Sequence, residues 1–379
     1  MIISKTILLR VKLSNSLNIL MITSRADYGG GPEHLLKLIS QLSKNLKIYI
    51  AAPEDEPYYK KFCDFVGEEN VVLIPHRKFT IGALFKLILF VRKNNISIIH
   101  SHGKGAGIYS RLVAAVTGIK CIHTFHGIHI AEYSRTSAFL YIKIEQLLSL
   151  FTSKAITVSK GEYETCLSLS LINKNKVVII ENGVFYPDES NNDHNYQTPF
   201  RILTVTRFDY SKNSELMIDI AKELQKQNLL DDFEFHFVGR GEGETDIVNS
   251  IKNSTIRDKF IFHGFQNDLT NYYRNAFVYL STSRWEGLPL SVLEAMSFGV
   301  PVIATDVRGN KDAVINNQTG YLYNIEKPET AASAIIRLHN NKELWLSLSL
   351  ASRERIRNNF TIERMAQLTE KLYFSVNTK

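Results

Sequence analysis

Short runs of β-branched and apolar residues alternate with segments of helical period along nearly the whole chain, and that alternation restricts the fold more than any other feature. The first half carries LNILMIT, KIYIAA, VVLI, SIIH, KCIHTF, KAITVS and KVVII, with helical segments such as Glu33–Ser43, Ala106–Thr117 and Ala138–Phe151 between them. The second half repeats the pattern with RILTVT, FEFHFV, KFIFHG, AFVYLS and VPVIAT. Parallel neighbours need a crossover connection, usually a helix, so the alternation predicts parallel sheets built from βα units. At 379 residues the chain is too long for one ordinary domain; it suits two of roughly 150–200 residues. Between the halves, FYPDESNNDHNYQTP is polar, with Pro187 and Pro199 near its ends, and reads as an exposed linker. The expected class is therefore α/β, with two Rossmann-like doubly wound domains at residues 1–184 and 200–356, a linker at 185–199 and a last helix at 357–379. Phe360 and Thr361 mark a break in the helical tail, with Thr361 as N-cap. In such an architecture a ligand sits in the cleft where the C-terminal strand ends of both domains face each other.

The net charge of +7 calls for anionic partners, namely nucleotide phosphates, acidic lipid headgroups or nucleic acid, without choosing among them. Cys63, Cys121 and Cys166 lie far apart with no C-x-x-C, which excludes a disulfide framework or cysteine-based zinc site and fits a reducing cytoplasm. The N-terminal MIISKTILLRVKL is interrupted by Lys5, Arg10 and Lys12 before a signal-peptide core can form, and reads as an extension ahead of a first strand at Leu17–Thr23. Phe79–Val91 is the closest approach to a spanning segment, but Lys86 breaks it, so a core or surface-seated amphipathic helix is expected there.

Four segments carry chemistry. In SRADYGGGPEHLL, Gly29–Gly31 precede a helix with Pro32 at its first position; glycines let backbone amides approach a phosphate, and a helix N-terminus adds partial positive charge. The spacing matches neither G-x-G-x-x-G nor the P-loop, and a structural tight turn is an equal reading. CIHTFHGIH spaces His123, His126 and His129 by three, yet no Asp, Glu or Cys cluster lies nearby to complete a metal site. His126, next to Gly127 at a strand end, is the choice for a hydrogen bond or proton delivered into the cleft. In RILTVTRFDYSKN, Arg207 and Lys212 flank a strand-to-helix turn, where two cations can hold a diphosphate or simply be a solvated pair. Last, RWEGLPLSVLEAMSFGVPVIATD places Glu286 in a loop after a strand and Glu294 about a turn into the following helix, so the two acids occupy different depths of one cleft.

That last segment resembles the E-x7-E signature of retaining glycosyltransferases of family 4, which have the GT-B fold. GGGPEH, HTFHG, TRFDYSKN, ITVS at Ile156–Ser159 and IENGV at Ile180–Val184 resemble the same family in the same order, from about Leu17 to the tail. The resemblance implies that the first domain faces the acceptor, that the second binds a nucleotide-sugar, and that the last helix crosses back to the first domain. It implies that Arg207 and Lys212 bind the donor diphosphate and that Glu294 accepts from the ribose hydroxyls. Glu286 and the backbone of Gly287, Leu288 and Leu290 would meet the donor sugar, Gly30 and Gly31 its phosphates, and His126 the reacting centre. Phe265 aligns with a base-contacting position, although its side chain would serve equally as core. One departure stands out: where many members carry Gly-Gly-x-x-Glu, this chain has VRGNKDAV, with Arg308 for the first glycine and Asp312 for the glutamate. That variant resembles enzymes of bacterial surface-polysaccharide assembly and leaves Asp312 without an assigned role.

The expected activity is retaining transfer of a sugar from a nucleotide diphosphate-sugar, a UDP-sugar first, to a hydroxyl of a glycan or lipid-linked acceptor. No cofactor and no metal are expected, because side-chain cations and helix N-termini supply the positive charge. Rival readings are a sugar-nucleotide epimerase of the same fold, a glycoside hydrolase using the two acids, and a nucleic-acid-binding module, which lacks a recognisable binding motif. An anionic membrane surface is the further expected partner, from FKLILFVRK and YIKIEQLLSLF, with core packing of those helices as the equal alternative.

Overall fold

The computed structural model describes residues 17–130, 133–187 and 196–378. The N-terminal apolar-basic segment and the middle of the expected linker lie outside them.

The first sheet is formed by β1 (Leu17–Thr23), β2 (Leu46–Ala52), β3 (Val71–Leu73), β4 (Ile98–His102), β5 (Lys120–Thr124), β6 (Lys154–Thr157) and β7 (Val177–Ile179). Its helices are α1 (Gly30–Gln41), α2 (Tyr58–Val66), α3 (Ile81–Lys93), α4 (Lys104–Thr117), α5 (Arg135–Leu148) and α6 (Lys160–Ser168). The strand order is β3-β2-β1-β4-β5-β6-β7, parallel throughout. Burial on both faces explains why β1 reads as a nearly continuous apolar run rather than an alternating one; β4, IIHSH, is buried throughout although three of its residues are polar.

The second sheet contains β8 (Phe200–Arg207), β9 (Phe233–Arg240), β10 (Phe260–Phe262), β11 (Val278–Ser281), β12 (Val302–Thr305) and β13 (Gly320–Tyr323). Between and after them run α7 (Leu216–Lys226), α8 (Glu244–Ile251), α9 (Thr270–Arg274), α10 (Leu290–Ser297), α11 (Asn310–Ala313), α12 (Pro328–His339) and α13 (Lys342–Asn359). The order is β10-β9-β8-β11-β12-β13, again all parallel. Phe233, Phe235, Phe237, Phe260 and Phe277 fill its core with Trp345, whose indole N–H donates to the Phe277 carbonyl at 2.7 Å.

Three helix limits differ from the sequence reading. α1 starts at Gly30 rather than after the glycines, so Pro32 is its third residue. α4 starts at Lys104, and α5 runs from Arg135 to Leu148 before a short 3-10 turn at Ser149–Phe151. In each case the helix begins before the first strongly periodic apolar residue, because a first turn needs only local backbone geometry and no buried face.

The chain passes between the two domains twice, and the two passages are joined. Val184 N–H donates to the Phe360 carbonyl at 2.8 Å, and Ile362 N–H to the Val184 carbonyl at 3.2 Å. A Cβ at Gly183 would collide with the backbone of Thr361 and Ile362, so the approach needs glycine. Thr361 then caps α14 (Ile362–Asn377), accepting from Arg364 N–H. This helix lies on the first domain: Ile362, Met365, Ala366, Leu372, Tyr373 and Val376 share one core with Ile19 and Met21 of β1 and Leu35 and Leu38 of α1.

Tyr373 anchors α14, fully buried, with its hydroxyl 2.6 Å from His100 Nδ1. Tyr373→Ala is expected to cost about 3–5 kcal/mol through the cavity left behind. Tyr373→Phe is expected to cost about 1–3 kcal/mol, because it leaves a buried imidazole nitrogen unpaired. Urea denaturation of the two variants separates packing from hydrogen bonding.

Candidate active site

Strand order reverses between β1 and β4 in the first sheet and between β8 and β11 in the second. The carboxyl ends of the strands at both reversals open on one cleft of about 750 Å³. Its first wall comes from the β1–α1 turn, His102–Gly105, His126 and His129; its second from Arg207, Lys212, Arg240, Phe265, Trp285–Ser291 and Glu294. The residues given a site role by the sequence reading lie on this lining: Gly30, Gly31, His126, Arg207, Lys212, Phe265, Glu286, Gly287, Leu288, Leu290 and Glu294.

Gly30 and Gly31 open α1, so their amides are first-turn donors without intrahelical partners, and Pro32 has none to offer. A Cβ on Gly31 would meet nothing within 4 Å, which leaves the space before these amides open to a ligand. Gly287 is tighter: its Cβ would lie 3.1 Å from Gly127 N, across the cleft. Gly309, at φ 87°, has no room for a Cβ either, since one would sit 2.7 Å from Glu286 Cβ.

The two glutamates are held by different lysines. Glu286 Oε1 meets Lys212 Nζ at 2.5 Å and accepts from Ser283 Oγ at 2.7 Å. Glu294 Oε1 meets Lys37 Nζ of α1 at 2.5 Å, and its Oε2 accepts from Tyr273 OH at 2.9 Å. Lys37 also meets Glu33 at 3.2 Å. Burial disfavours the Lys37 cation, but Glu294 and Glu33 outweigh it and hold its pKa above that of an ordinary lysine. A carboxylate has about four acceptor positions, so Glu294 keeps room for further donors while bonded to Lys37 and Tyr273. Arg207 pairs with Asp209 at 2.8 Å and is half exposed. Both cations are thus held by carboxylates in this structure.

Phe265 is not core: it stands half-buried in the cleft wall with its ring 3.9 Å from that of Tyr28, and the Arg240 guanidinium lies 3.8 Å over Tyr28. Tyr28, Lys37, Arg240 and Trp285 line or frame the cleft and were not singled out by sequence. Tyr28 adjoins the glycine turn and Trp285 adjoins Glu286, so proximity to a motif was the available signal for them; Lys37 and Arg240 had none.

The histidines regroup on folding. His123 turns into the first domain, with Nδ1 3.0 Å from Ser101 Oγ, while His129 stays in the cleft beside Trp285. His126 instead meets His102, Nε2 to Nδ1, at 3.3 Å, with His34 edge-on to it. Burial pushes His126 down to about 4, so at neutral pH its uncharged ring can offer a hydrogen bond to a ligand but is no imidazolium acid.

The loop carrying His126 is pinned from both domains. Glu162 of α6, fully buried, accepts from Gly127 N–H at 2.6 Å and Val158 N–H at 2.8 Å. Arg308 reaches across from the second domain to the Ile128 carbonyl at 2.7 Å and to Thr165 Oγ1. Asp312 accepts from Gly161 N–H at 3.2 Å, in the first turn of α6. The two residues that depart from the Gly-Gly-x-x-Glu pattern thus connect the domains beside His126.

Residues 28–185 match a protein family described as Glycosyltransferase Family 4, and residues 187–359 match Glycosyl transferases group 1. The UDP-Gal:alpha-D-GlcNAc-diphosphoundecaprenol alpha-1,3-galactosyltransferase of Escherichia coli is 29% identical over 320 residues, 81% of each chain. The O-antigen biosynthesis glycosyltransferase WbnH of Escherichia coli is 28% identical over 304 residues, 79% of this chain and 84% of that one. Among solved structures, Anabaena HepE in complex with UDP and glucose superposes with a TM-score of 0.80 at 16% identity, over 95% of this chain and 100% of that one. Sucrose-phosphate synthase from Thermosynechococcus elongatus gives 0.78 at 21% identity, over 96% and 99%. At these identities the two structures share the fold, two facing Rossmann-like domains.

Glu162 supplies a check on the His126 loop that needs no substrate. Burial pushes its carboxyl from the ordinary 4.5 up to about 7, against the backbone N–H groups that favour the anion. A raised carboxyl stabilises the fold fully below about pH 4.5 and loses that contribution as pH rises through about 7. Glu162→Gln is expected to remove this slope, on the order of 3 kcal/mol in all. Urea midpoints across that window test it, and an unchanged slope in the variant would assign the pH dependence to other groups.

Proposed function

This chain belongs to glycosyltransferase family 4, and we propose that it transfers a sugar from a UDP-sugar to a hydroxyl of a lipid-linked glycan, with retention at the anomeric carbon and without a metal ion. The setting is assembly of a bacterial capsule, O-antigen or exopolysaccharide. One observation carries this reading: a single cleft gathers the Arg207 and Lys212 cations, the open amides of Gly30 and Gly31, and Glu294 within reach of both domains. The relatives support the donor and acceptor classes, since the Escherichia coli galactosyltransferase is named for UDP-Gal and a diphosphoundecaprenol acceptor and HepE was crystallised with UDP.

In this reading the base rests against Phe265 beside Tyr28, and the ribose hydroxyls donate to the free positions of Glu294. The diphosphate lies between Arg207, Lys212 and the first turn of α1, displacing Asp209 and Glu286 from the two cations. Glu286, released from Lys212, turns to the donor sugar together with the backbone of Gly287, Leu288 and Leu290. The bond from the anomeric carbon to the β-phosphate oxygen breaks, the acceptor oxygen bonds to the same face, and the acceptor proton passes to that phosphate oxygen. Positive charge fixed in place before the reaction offsets the charge that develops on the leaving diphosphate, which removes the need for a metal ion. His126, uncharged, donates a hydrogen bond to a sugar hydroxyl beside the reacting carbon. The hydrolase alternative loses ground, because Glu294 is held between Lys37 and Tyr273 and is not left facing a scissile bond opposite Glu286.

We extend the proposal to peripheral attachment at an anionic membrane. No helix among the described residues is long and apolar enough to cross a membrane. α3 buries Leu87, Ile88 and Val91 yet exposes Ile81, Phe85 and Leu89, and α5 exposes Phe139, Leu140 and Leu147. Lys86 and Lys143 stand among these side chains in sequence, the combination that suits an apolar seat with anionic headgroups around it.

Arg207→Ala and Lys212→Ala are each expected to weaken UDP binding by about 10- to 100-fold, the loss of one charge-assisted hydrogen-bonding partner. Titration calorimetry in EDTA measures this and tests metal independence together; wild-type affinity in both variants would remove the diphosphate assignment. Nuclear magnetic resonance of the product reads the anomeric configuration. Phe85→Glu combined with Leu89→Glu is expected to reduce co-sedimentation with anionic vesicles at low salt without changing UDP affinity. If the wild-type protein stays in the supernatant, membrane attachment is wrong.

A further inference from the structure

Three imidazoles from three separate elements meet beside the cleft, His102 and His126 on its lining and His34 buried. His34 comes from α1, His102 from the end of β4 and His126 from the loop after β5, and one ligand nitrogen from each lies within 4.8 Å of the others. His102 Nδ1 and His126 Nε2 are 3.3 Å apart, within hydrogen-bonding distance. A tetrahedral metal ion with nitrogens at about 2.0–2.1 Å holds neighbouring ligand atoms about 3.3–3.4 Å apart. That pair already has the spacing a shared ion requires. The widest gap to close is at most 4.8 Å less that spacing, roughly 1.4 Å.

Ordinary hydrogen bonding leaves this cluster incomplete. His34 and His102 are each 4% exposed, and His102, whose Nδ1 faces His126, has no partner for its buried Nε2. Buried polar nitrogens nearly always have one, so the unmet capacity is a feature to be explained. His102 and His126 line the cleft, and three nitrogen ligands are the set of a site that keeps one coordination position for water or substrate.

We propose that His34, His102 and His126 form a three-imidazole site for a divalent transition-metal ion such as Zn2+, and that filling it takes His126 away from the donor sugar and stops transfer. All-nitrogen ligation selects ions of this kind over Mg2+ or Ca2+, which prefer oxygen. The site is separate from the diphosphate cations, so the inference concerns inhibition and not the metal requirement of the reaction. Metal binding is independent of the proposed activity, whereas its inhibitory consequence rests on that reading.

The test uses full-length protein without a histidine tag. Co2+ is expected to bind at one equivalent with the intense visible absorption of tetrahedral coordination, and Zn2+ to displace it. Paramagnetically shifted imidazole N–H signals of the wild-type Co2+ protein should number three, a readout that needs no variant. His34→Ala and His102→Ala are each expected to weaken Co2+ binding by at least about 10- to 100-fold. A His236→Gln, His263→Gln double variant, removing the neighbouring pair 2.9 Å apart in the second domain, should bind as wild type. A weak octahedral spectrum, fewer than three shifted signals, or binding unaffected by His102→Ala overturns the site. With the site filled, Zn2+ should abolish transfer and EDTA restore it; full activity of the Zn2+-loaded protein would overturn the inhibitory role while leaving the site intact.

Discussion

Two backbones come together across the cleft at Gly127 and Gly287, and the rest of the site depends on that approach. A Cβ at Gly287 would lie 3.1 Å from Gly127 N, so the two backbones would have to give by a few tenths of an ångström. With the walls this close, Lys37 of α1 reaches Glu294 of α10, and Arg308 reaches the Ile128 carbonyl beside His126. Neither contact survives a displacement of a few ångström, because ion-pair and hydrogen-bond geometry fades over that distance. The crossing of the chain at Val184 and Thr361, with α14 laid on the first domain, restricts how far the walls can separate.

The cleft's charges already have partners. Arg207 has Asp209, Lys212 has Glu286 and Lys37 has two glutamates. Such pairing lowers the cost of keeping cations in a partly dry site. In the proposed reaction a more highly charged diphosphate takes the cations over by exchange and frees Glu286 for the donor sugar. The +7 net charge in the sequence is thus only loosely related to function, since what matters is which few cations face the cleft.

Arg308 and Asp312 show how a departure from a family pattern gains meaning. Where a glycine would leave a gap, Arg308 grips the first domain, and Asp312 sits against the opening of α6. Together with buried Glu162 they fix the backbone of the His126–Ile128 loop from two sides. Linear spacing alone offered nothing about this, because Gly161 and Asp312 are 151 positions apart.

The sequence by itself determined the parallel α/β class and the two-domain division, and its motifs marked part of the cleft lining, without Tyr28, Arg240 or Trp285. Alternating β-branched and helical-period segments leave few packings, and the E-x7-E segment, the glycine turn and the Arg207/Lys212 turn are local patterns, each written within a few residues. Tertiary structure alone decided the partners of those residues. Lys37 with Glu294, Arg240 over Tyr28, and His34, His102 and His126 as one cluster join elements that no periodicity links. Hydrophobic pattern specifies which face of an element is buried but not which charged or aromatic side chain of a distant element arrives opposite it. That pairing is set by the strand order and by how closely the two domains approach.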